Sequence, residues 1–210
     1  MILNFEEKRL SMVADQLIRR QIKSEAVLDA MRCVPRHLFL PEKMISYAYD
    51  DSPMPIGWGQ TISQPYIVAY MTELLEPAFG MKILEIGAGS GYQAAILAHL
   101  GCDVYSIEYV EQLAAGASKV LSDLGYDNVI IKHGNGYMGW PEEAPFDAVI
   151  VTAAPEVIPE KLIEQLAEGG MMIIPVGGVY SVQSLMRITK KDGKVTQEDL
   201  LPVRFVPMVG

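Results

Sequence analysis

Residues 83–91 read Ile-Leu-Glu-Ile-Gly-Ala-Gly-Ser-Gly, an apolar run holding one acid, then glycines at alternate positions, with a helical stretch beyond. This is the pattern of a buried strand turning sharply into a helix. Glycine tolerates the left-handed backbone that such a turn needs, and it leaves no Cβ between the peptide groups and a ligand laid across them. A dinucleotide fingerprint spaces its glycines G-x-G-x-x-G and cradles a pyrophosphate. Here the spacing is G-x-G-x-G, and Glu85 stands two residues before the first glycine. An acid there would repel a pyrophosphate and suits a cation. S-adenosylmethionine carries a sulfonium and an ammonium, so the loop is read as its binding site, with Glu85, Gly87, Gly89 and Gly91 as candidate contacts. A plain strand-to-helix turn without a ligand is the alternative.

From this loop onward strand and helix alternate. Strands are expected at 81–86, 103–108, 128–132, 146–152 and 170–176, with helices at about 91–100, 110–124 and 156–167. Such alternation implies right-handed crossovers and a mostly parallel sheet covered by helices on both faces. Two later apolar runs, Val182–Thr189 and Leu201–Val206, flank the charged turn Lys190–Lys194 and read as a terminal hairpin-like pair, bringing the sheet to seven strands. Ahead of the sheet, Leu10, Val13, Ala14, Leu17 and Ile18 recur at helical spacing between Glu6 and Gln21, and Ser24 caps a second helix carrying Val27, Leu28 and Met31. Residues 35–62 hold Pro35, Pro41, Pro53, Pro55, Gly57 and Gly59 and read as a long irregular, lid-like segment anchored by Tyr47, Tyr49 and Trp58. A helix follows from Pro65. The expectation is one α/β domain over 1–210, doubly wound and Rossmann-like, with N-terminal helices and lid at 1–62, a cofactor-binding core at 63–178 and the strand pair at 179–210.

With 210 residues, half of them hydrophobic, the chain can bury a substantial core. Its net charge of −9 and the lack of a basic stripe argue against a nucleic-acid partner. Arg19-Arg20 is the densest basic spot and reads as a solvated face. Cys33 and Cys102 are too few for a disulfide framework or a metal pattern, which fits a reducing compartment, and His37, His99 and His133 lack the companions that would make them ligands or bases. No metal is expected. The start of the chain lacks the order of a secretory signal, and no apolar stretch approaches the ~18 residues of a membrane span. The expectation is a cytoplasmic monomer away from membranes.

In a doubly wound sheet, ligands sit beyond the carboxyl ends of the strands, where the winding switches direction. Glu108 closes the second strand about 20 residues beyond the glycine loop, the place from which a carboxylate accepts both hydroxyl hydrogens of a ribose. His133-Gly134-Asn135-Gly136 after the third strand is a tight turn whose amide can bond a base edge, or equally a plain turn. Gly59-Gln-Thr-Ile-Ser-Gln-Pro leads into a helix start, with Ser63 or Gln64 at the cap and proline in the first turn. Free N–H groups there, with the Thr61 and Ser63 hydroxyls, favour an incoming carboxylate. Thr152, ending the fourth strand, stands at the pocket floor or serves packing.

Residues 83–95, Gly59–Pro65, Ala144-Pro-Phe-Asp-Ala-Val-Ile-Val-Thr-Ala-Ala and Leu166-Ala-Glu-Gly-Gly closely resemble, in content and in order, the protein-L-isoaspartate O-methyltransferases, a class I S-adenosylmethionine-dependent family. The resemblance covers nearly the whole chain, and Gly59–Pro65 is its most specific part. It implies methyl transfer from S-adenosylmethionine, leaving S-adenosylhomocysteine, to the α-carboxyl of L-isoaspartyl residues in damaged proteins and peptides. It also implies an active-site role for Ser63, and cofactor contacts at Glu108, at the Asn135-Gly136 turn and, beside these, at Tyr109, Thr61 and Ile62. Substrate contacts are expected at Thr61 and Ser63 and at Val206 and Pro207, on the run Val203-Arg-Phe-Val-Pro-Met, read as an edge strand that a polypeptide can extend. Two departures stand out. The turn that is commonly Gly-Asp-Gly in the family is Gly134-Asn135-Gly136 here, and the sequence stops at Gly210, earlier than many relatives, with Val209 where threonine is frequent. The alternatives are a methyltransferase for another carboxylate or small molecule, an NAD-dependent oxidoreductase and a non-catalytic cofactor binder.

Overall fold

The computed structural model describes residues 4–179 and 181–210. Helix α1 (Phe5–Met12) opens on the Asn4 side chain, which accepts from the Glu7 amide. The periodic stretch to residue 20 then changes pitch, with a π turn at Val13–Leu17 and a 3-10 turn at Ile18–Arg20, and stops at Gln21 in the left-handed region. Helix α2 (Glu25–Cys33) starts under the expected Ser24 cap, whose hydroxyl accepts from the Val27 amide.

The segment expected to be irregular holds a hairpin, β1 (Met54–Gly57) paired with β2 (Gln60–Ile62). Its turn, Gly57-Trp58-Gly59, has positive φ at all three residues, so two glycines flank one strained tryptophan. Trp58 is 62% exposed and Tyr47 is also exposed, so of the three aromatics expected to anchor this segment only Tyr49 is buried. A deeper anchor is Arg36. Its guanidinium is wholly buried, donates from Nε to the Ala48 carbonyl (2.8 Å) and lies 5.0 Å over the Tyr92 ring, and burial lowers its pKa to about 10.

The remaining elements alternate as expected: α3 (Pro65–Leu75), β3 (Lys82–Ile86), α4 (Tyr92–His99), β4 (Asp103–Glu108), α5 (Glu111–Asp123), β5 (Val129–His133) and β6 (Phe146–Val151). Then come α6 (Glu160–Glu164), β7 (Leu166–Val176), β8 (Gln183–Lys191) and β9 (Lys194–Val203). The helix expected over 156–167 shrinks to α6, because Pro159 fixes its start and the chain enters β7 already at Leu166. The last strand begins well before the apolar run at Leu201 and ends at Val203. Its exposed polar stretch is carried by antiparallel pairing along the whole of β8, across a turn at Asp192-Gly193.

The strands lie in the order β5-β4-β3-β6-β7-β8-β9, parallel through β7 and antiparallel after it. From β3 the chain winds outward to β4 and β5, then returns to lay β6 on the other side of β3. Strands β3 and β6 are buried on both faces, which explains their unbroken apolar runs. Successive side chains divide between two cores. Ile83, Ala148 and Ile150 face a thick layer of α2, α3 and α4, whereas Leu84, Val149 and Val151 join Phe146, Leu162 and Met172 on a side covered by α6 and short turns.

Phe146 is fully buried on that thinner side, edge-on to Tyr105 with ring centroids 5.8 Å apart. Phe146→Ala is expected to lower unfolding free energy by about 3–5 kcal/mol, read from the urea midpoint at unchanged slope.

Candidate active site

The carboxyl ends of β3, β4 and β6 meet at the winding switch, and an open cleft lies there. Gly87 and Gly89 form one edge. At Gly87 φ is +96°, and a Cβ would come within 2.6 Å of the Thr152 hydroxyl, so only glycine fits between β3 and β6. That hydroxyl is shared between the carbonyls of Gly87 (2.7 Å) and Ile86 (3.0 Å). Thr152 thus fixes the path of the loop.

Glu108 holds the loop from the other side. Its Oε2 accepts from the Gly89 amide (2.8 Å) and its Oε1 from the Val110 amide (2.9 Å). Each oxygen keeps a lone pair, and the residue lines the cleft next to Tyr109 and Gly136. Opposite, Ile56 of the β1–β2 hairpin lies over the loop, 3.4 Å from where a Gly89 Cβ would stand.

Four of the expected cofactor contacts, Gly91, Asn135, Glu85 and Ile62, do not line this cleft. Gly91 opens α4, and a Cβ there would press on Leu121 and Ala117 of α5, so this glycine is set by helix packing. The Asn135 side chain accepts from the Tyr137 amide (2.9 Å) and caps a short turn, while its neighbour Gly136 lines the cleft. Glu85 is wholly buried behind the loop. Ser106 donates to its Oε2, its Oε1 has no partner among the described residues, and burial pushes its pKa up to about 8. Glu85 is therefore a neutral carboxyl beneath the loop at low and intermediate pH, not an open charge facing a cation.

A second, roomier cleft of about 450 Å³ adjoins the first. Thr61, Thr152 and Val206 border both clefts, and Ser63 and Arg204 line the second. Ile62 and Ser63 also border a smaller recess against Gly89 and Ser90. The helix cap is Gln64, not Ser63, and its side chain reaches out to Asp51 (2.8 Å), which Arg20 holds in turn (2.7 Å). Arg20 is thus engaged where a solvated face was expected. Ser63 makes no side-chain hydrogen bond among the described residues and remains available to a ligand.

The far wall corrects the expected edge strand. The Phe205 amide and carbonyl are taken by the Gln183 side chain, and Ala154 accepts from Met208 and donates to Val206 (2.8 Å each). Strand β9 ends at Val203, and beyond it Phe205, the Val206 carbonyl and Met208 are paired, whereas the Val206 amide has no partner among the described residues. Val206 and Pro207 still line the cofactor-side cleft, joined by Met208 and Val209. In the sequence Ile56 is not singled out, and Arg204 and Met208 stand only as members of the run 203–208, because nothing in an irregular segment or a chain end marks which face a residue will present.

No histidine enters either cleft. His37 stacks on Phe5 (4.2 Å) with Nδ1 2.7 Å from the Tyr49 hydroxyl, and His133 approaches the Tyr109 carbonyl. His99, expected to lack companions, stands beside Asp29 and Cys33 on the surface. Among the described residues no helix is long and apolar enough to cross a membrane.

Residues 8–210 match the family model described as protein-L-isoaspartate(D-aspartate) O-methyltransferase. A protein-L-isoaspartate O-methyltransferase from Opitutus terrae is 57% identical over 95% of this chain and 86% of its own. A solved protein-L-isoaspartate O-methyltransferase superposes with a TM-score of 0.88 at 31% identity. The match covers 98% of this chain, which spans 66% of that longer one. A Plasmodium falciparum structure described as the same enzyme, in complex with S-adenosyl-L-homocysteine, gives a TM-score of 0.83 at 31% identity over 96% and 98% of the two chains.

The buried Glu85 carboxyl carries a pH signature. Its pKa rises from 4.5 to about 8 on folding, so between those values the unfolded chain has released a proton that the folded chain keeps. Stability contributed by this residue must then fall as pH rises through that window, by on the order of a few kcal/mol. Glu85→Gln is expected to flatten the fall, followed by urea midpoints between about pH 5 and 8.

Proposed function

The chain belongs to the protein-L-isoaspartate(D-aspartate) O-methyltransferase family, and from that membership we infer that it methylates the free α-carboxyl of L-isoaspartyl residues in damaged proteins and peptides. The observation that carries this reading is the shared border of the two clefts. Thr61 and Thr152 stand between a glycine-edged cleft closed by Glu108 and an open cleft lined by Ser63 and Arg204. A nucleoside cofactor and a polypeptide carboxylate can therefore meet across them.

The first cleft suits S-adenosylmethionine. Bare main chain at Gly87 and Gly89 admits a close ligand, and the free lone pairs of Glu108 can accept from two ribose hydroxyls. Bound there, S-adenosylmethionine supplies a methyl group on a positively charged sulfur, ready for attack by an oxygen nucleophile. Tyr109 and Gly136 flank the same space, and Ile56 covers the loop from above.

A substrate carboxylate with a pKa near 4 is already ionised at neutral pH, so no general base is required. This agrees with the placement of all three histidines outside the clefts. The chain's task is positioning: the Thr61 and Ser63 hydroxyls and the start of α3 hold the carboxylate, and Arg204 adds a positive charge to the same cleft. Once esterified, the α-carboxyl carbon is a better electrophile, because methoxide can depart where a free carboxylate has no comparable leaving group. The substrate's own backbone nitrogen can close on it with loss of methanol, giving the succinimide through which an ordinary aspartyl linkage is recovered.

In an isoaspartyl linkage the α-carboxylate is free, whereas ordinary aspartate presents its carboxylate on a differently directed chain. The test is methyl transfer to peptide pairs differing only in that linkage. The aspartyl peptide is expected to react at least about a hundredfold more slowly in kcat/KM, and equal rates would sink the repair assignment. Ser63→Ala is expected to lower kcat without moving the acidic limb of the pH–rate profile. Glu108→Ala is expected to weaken cofactor binding by about 1.5–3 kcal/mol in calorimetry.

A further inference from the structure

On the face of the molecule formed by α2 and α4, Asp29, Cys33 and His99 bring a carboxylate oxygen, a thiol sulfur and an imidazole nitrogen within 4.8 Å of one another. We propose that this trio is a zinc site. Asp29 and Cys33 are one helical turn apart on α2, with Cys33 Sγ 4.0 Å from Asp29 Oδ2, so both point the same way. His99 comes from a different element, which makes the cluster a bridge between helices.

Two independent features favour a cation here. Cys33 is the last residue of α2 and His99 the last of α4, so both helices direct the negative ends of their peptide dipoles toward the cluster. The donor set is also selective. Thiolate and imidazole together suit Zn²⁺ and disfavour Mg²⁺ and Ca²⁺, which demand oxygen ligands. With metal–ligand distances of about 2.0–2.3 Å, a tetrahedral ion needs its ligand atoms roughly 3.5 Å apart. The three side chains are exposed, so rotation about their own bonds can close the remaining ångström or so without moving the backbone.

Cys33 binds as the thiolate, releasing its proton to solvent, and a water completes the fourth position. The ion would pin the N-terminal helical segment to α4, the helix that begins at Gly91 directly after the glycine loop. Because it binds the folded chain only, it raises thermal stability by mass action. None of the three residues borders either cleft, so the site is separate from the methyl-transfer machinery.

The test uses the full chain stripped with a chelator and titrated with Zn²⁺ and, separately, Co²⁺. The expected result is one equivalent of zinc per chain and a rise in Tm. Co²⁺ should add a sulfur-to-metal charge-transfer band and the intense visible bands of a four-coordinate ion. Cys33→Ser should abolish the charge-transfer band. His99→Ala should weaken zinc binding by at least about tenfold, the smallest loss typical even of an outer-shell partner. Both variants should keep metal-free methyl transfer, which shows that they fold. Absence of the band in the unsubstituted chain, its persistence in Cys33→Ser, or equal zinc affinity in the unsubstituted chain and His99→Ala would each overturn the proposal.

Discussion

Beyond the end of β3 the Gly87 carbonyl and the Gly89 amide have no main-chain partner among the described residues, and two side chains supply one. The Thr152 hydroxyl caps the carbonyls of Ile86 and Gly87, while Glu108 takes the amides of Gly89 and Val110. The glycine loop is thereby held from both flanking strands before any ligand arrives. Buried polar backbone left unpaired costs about 1–3 kcal/mol per group, so this pair of clamps stabilises the turn and fixes its shape at once. Preorganisation of that kind lowers what binding must spend on ordering. The arrangement follows from topology: only because β4 and β6 lie on opposite sides of β3 can Glu108 and Thr152 reach the same loop.

The N-terminal segment depends on the sheet in the same way. Ile56 rests on the glycine loop, Gln64 and Arg20 converge on Asp51, and Arg36 is sealed against Tyr92 in the first turn of α4. These contacts tie the residues that would receive the acceptor carboxylate to the residues that would hold the cofactor. A buried arginine is costly unless well satisfied, and two of its nitrogens find no partner among the described residues. Its cation–π contact with Tyr92 offsets part of that cost.

Much of this was legible in the sequence because it rests on short-range rules. Apolar runs ending in Gly87 or Glu108 mark strands that stop at the same edge, and alternation with helices narrows the sheet to a few doubly wound, mostly parallel topologies. The placement of Glu85, Asn135 and Gly91 was not legible. Their spacing is the same whether a side chain faces a ligand, a helix or the core, and only the packed neighbours decide. The β1–β2 hairpin was hidden because prolines and glycines signal a turn without saying what pairs across it. The cluster of Asp29, Cys33 and His99 joins residues about 70 positions apart in sequence, a proximity that no local pattern encodes.

The exposed indole at the hairpin tip has an optical consequence. The chain contains two tryptophans. Trp140 is half-buried, edge-on to Tyr105 at 5.6 Å, on the thinner side of the sheet, whereas Trp58 stands in solvent two residues from Ile56. Their emission is thus spectrally divided by polarity, a red-shifted component from the hairpin and a bluer one from the half-buried Trp140. Replacing Trp140 with phenylalanine leaves a chain whose fluorescence comes from the hairpin indole alone. That provides an unlabelled, real-time gauge of whether the hairpin shifts when the glycine loop beneath it is filled.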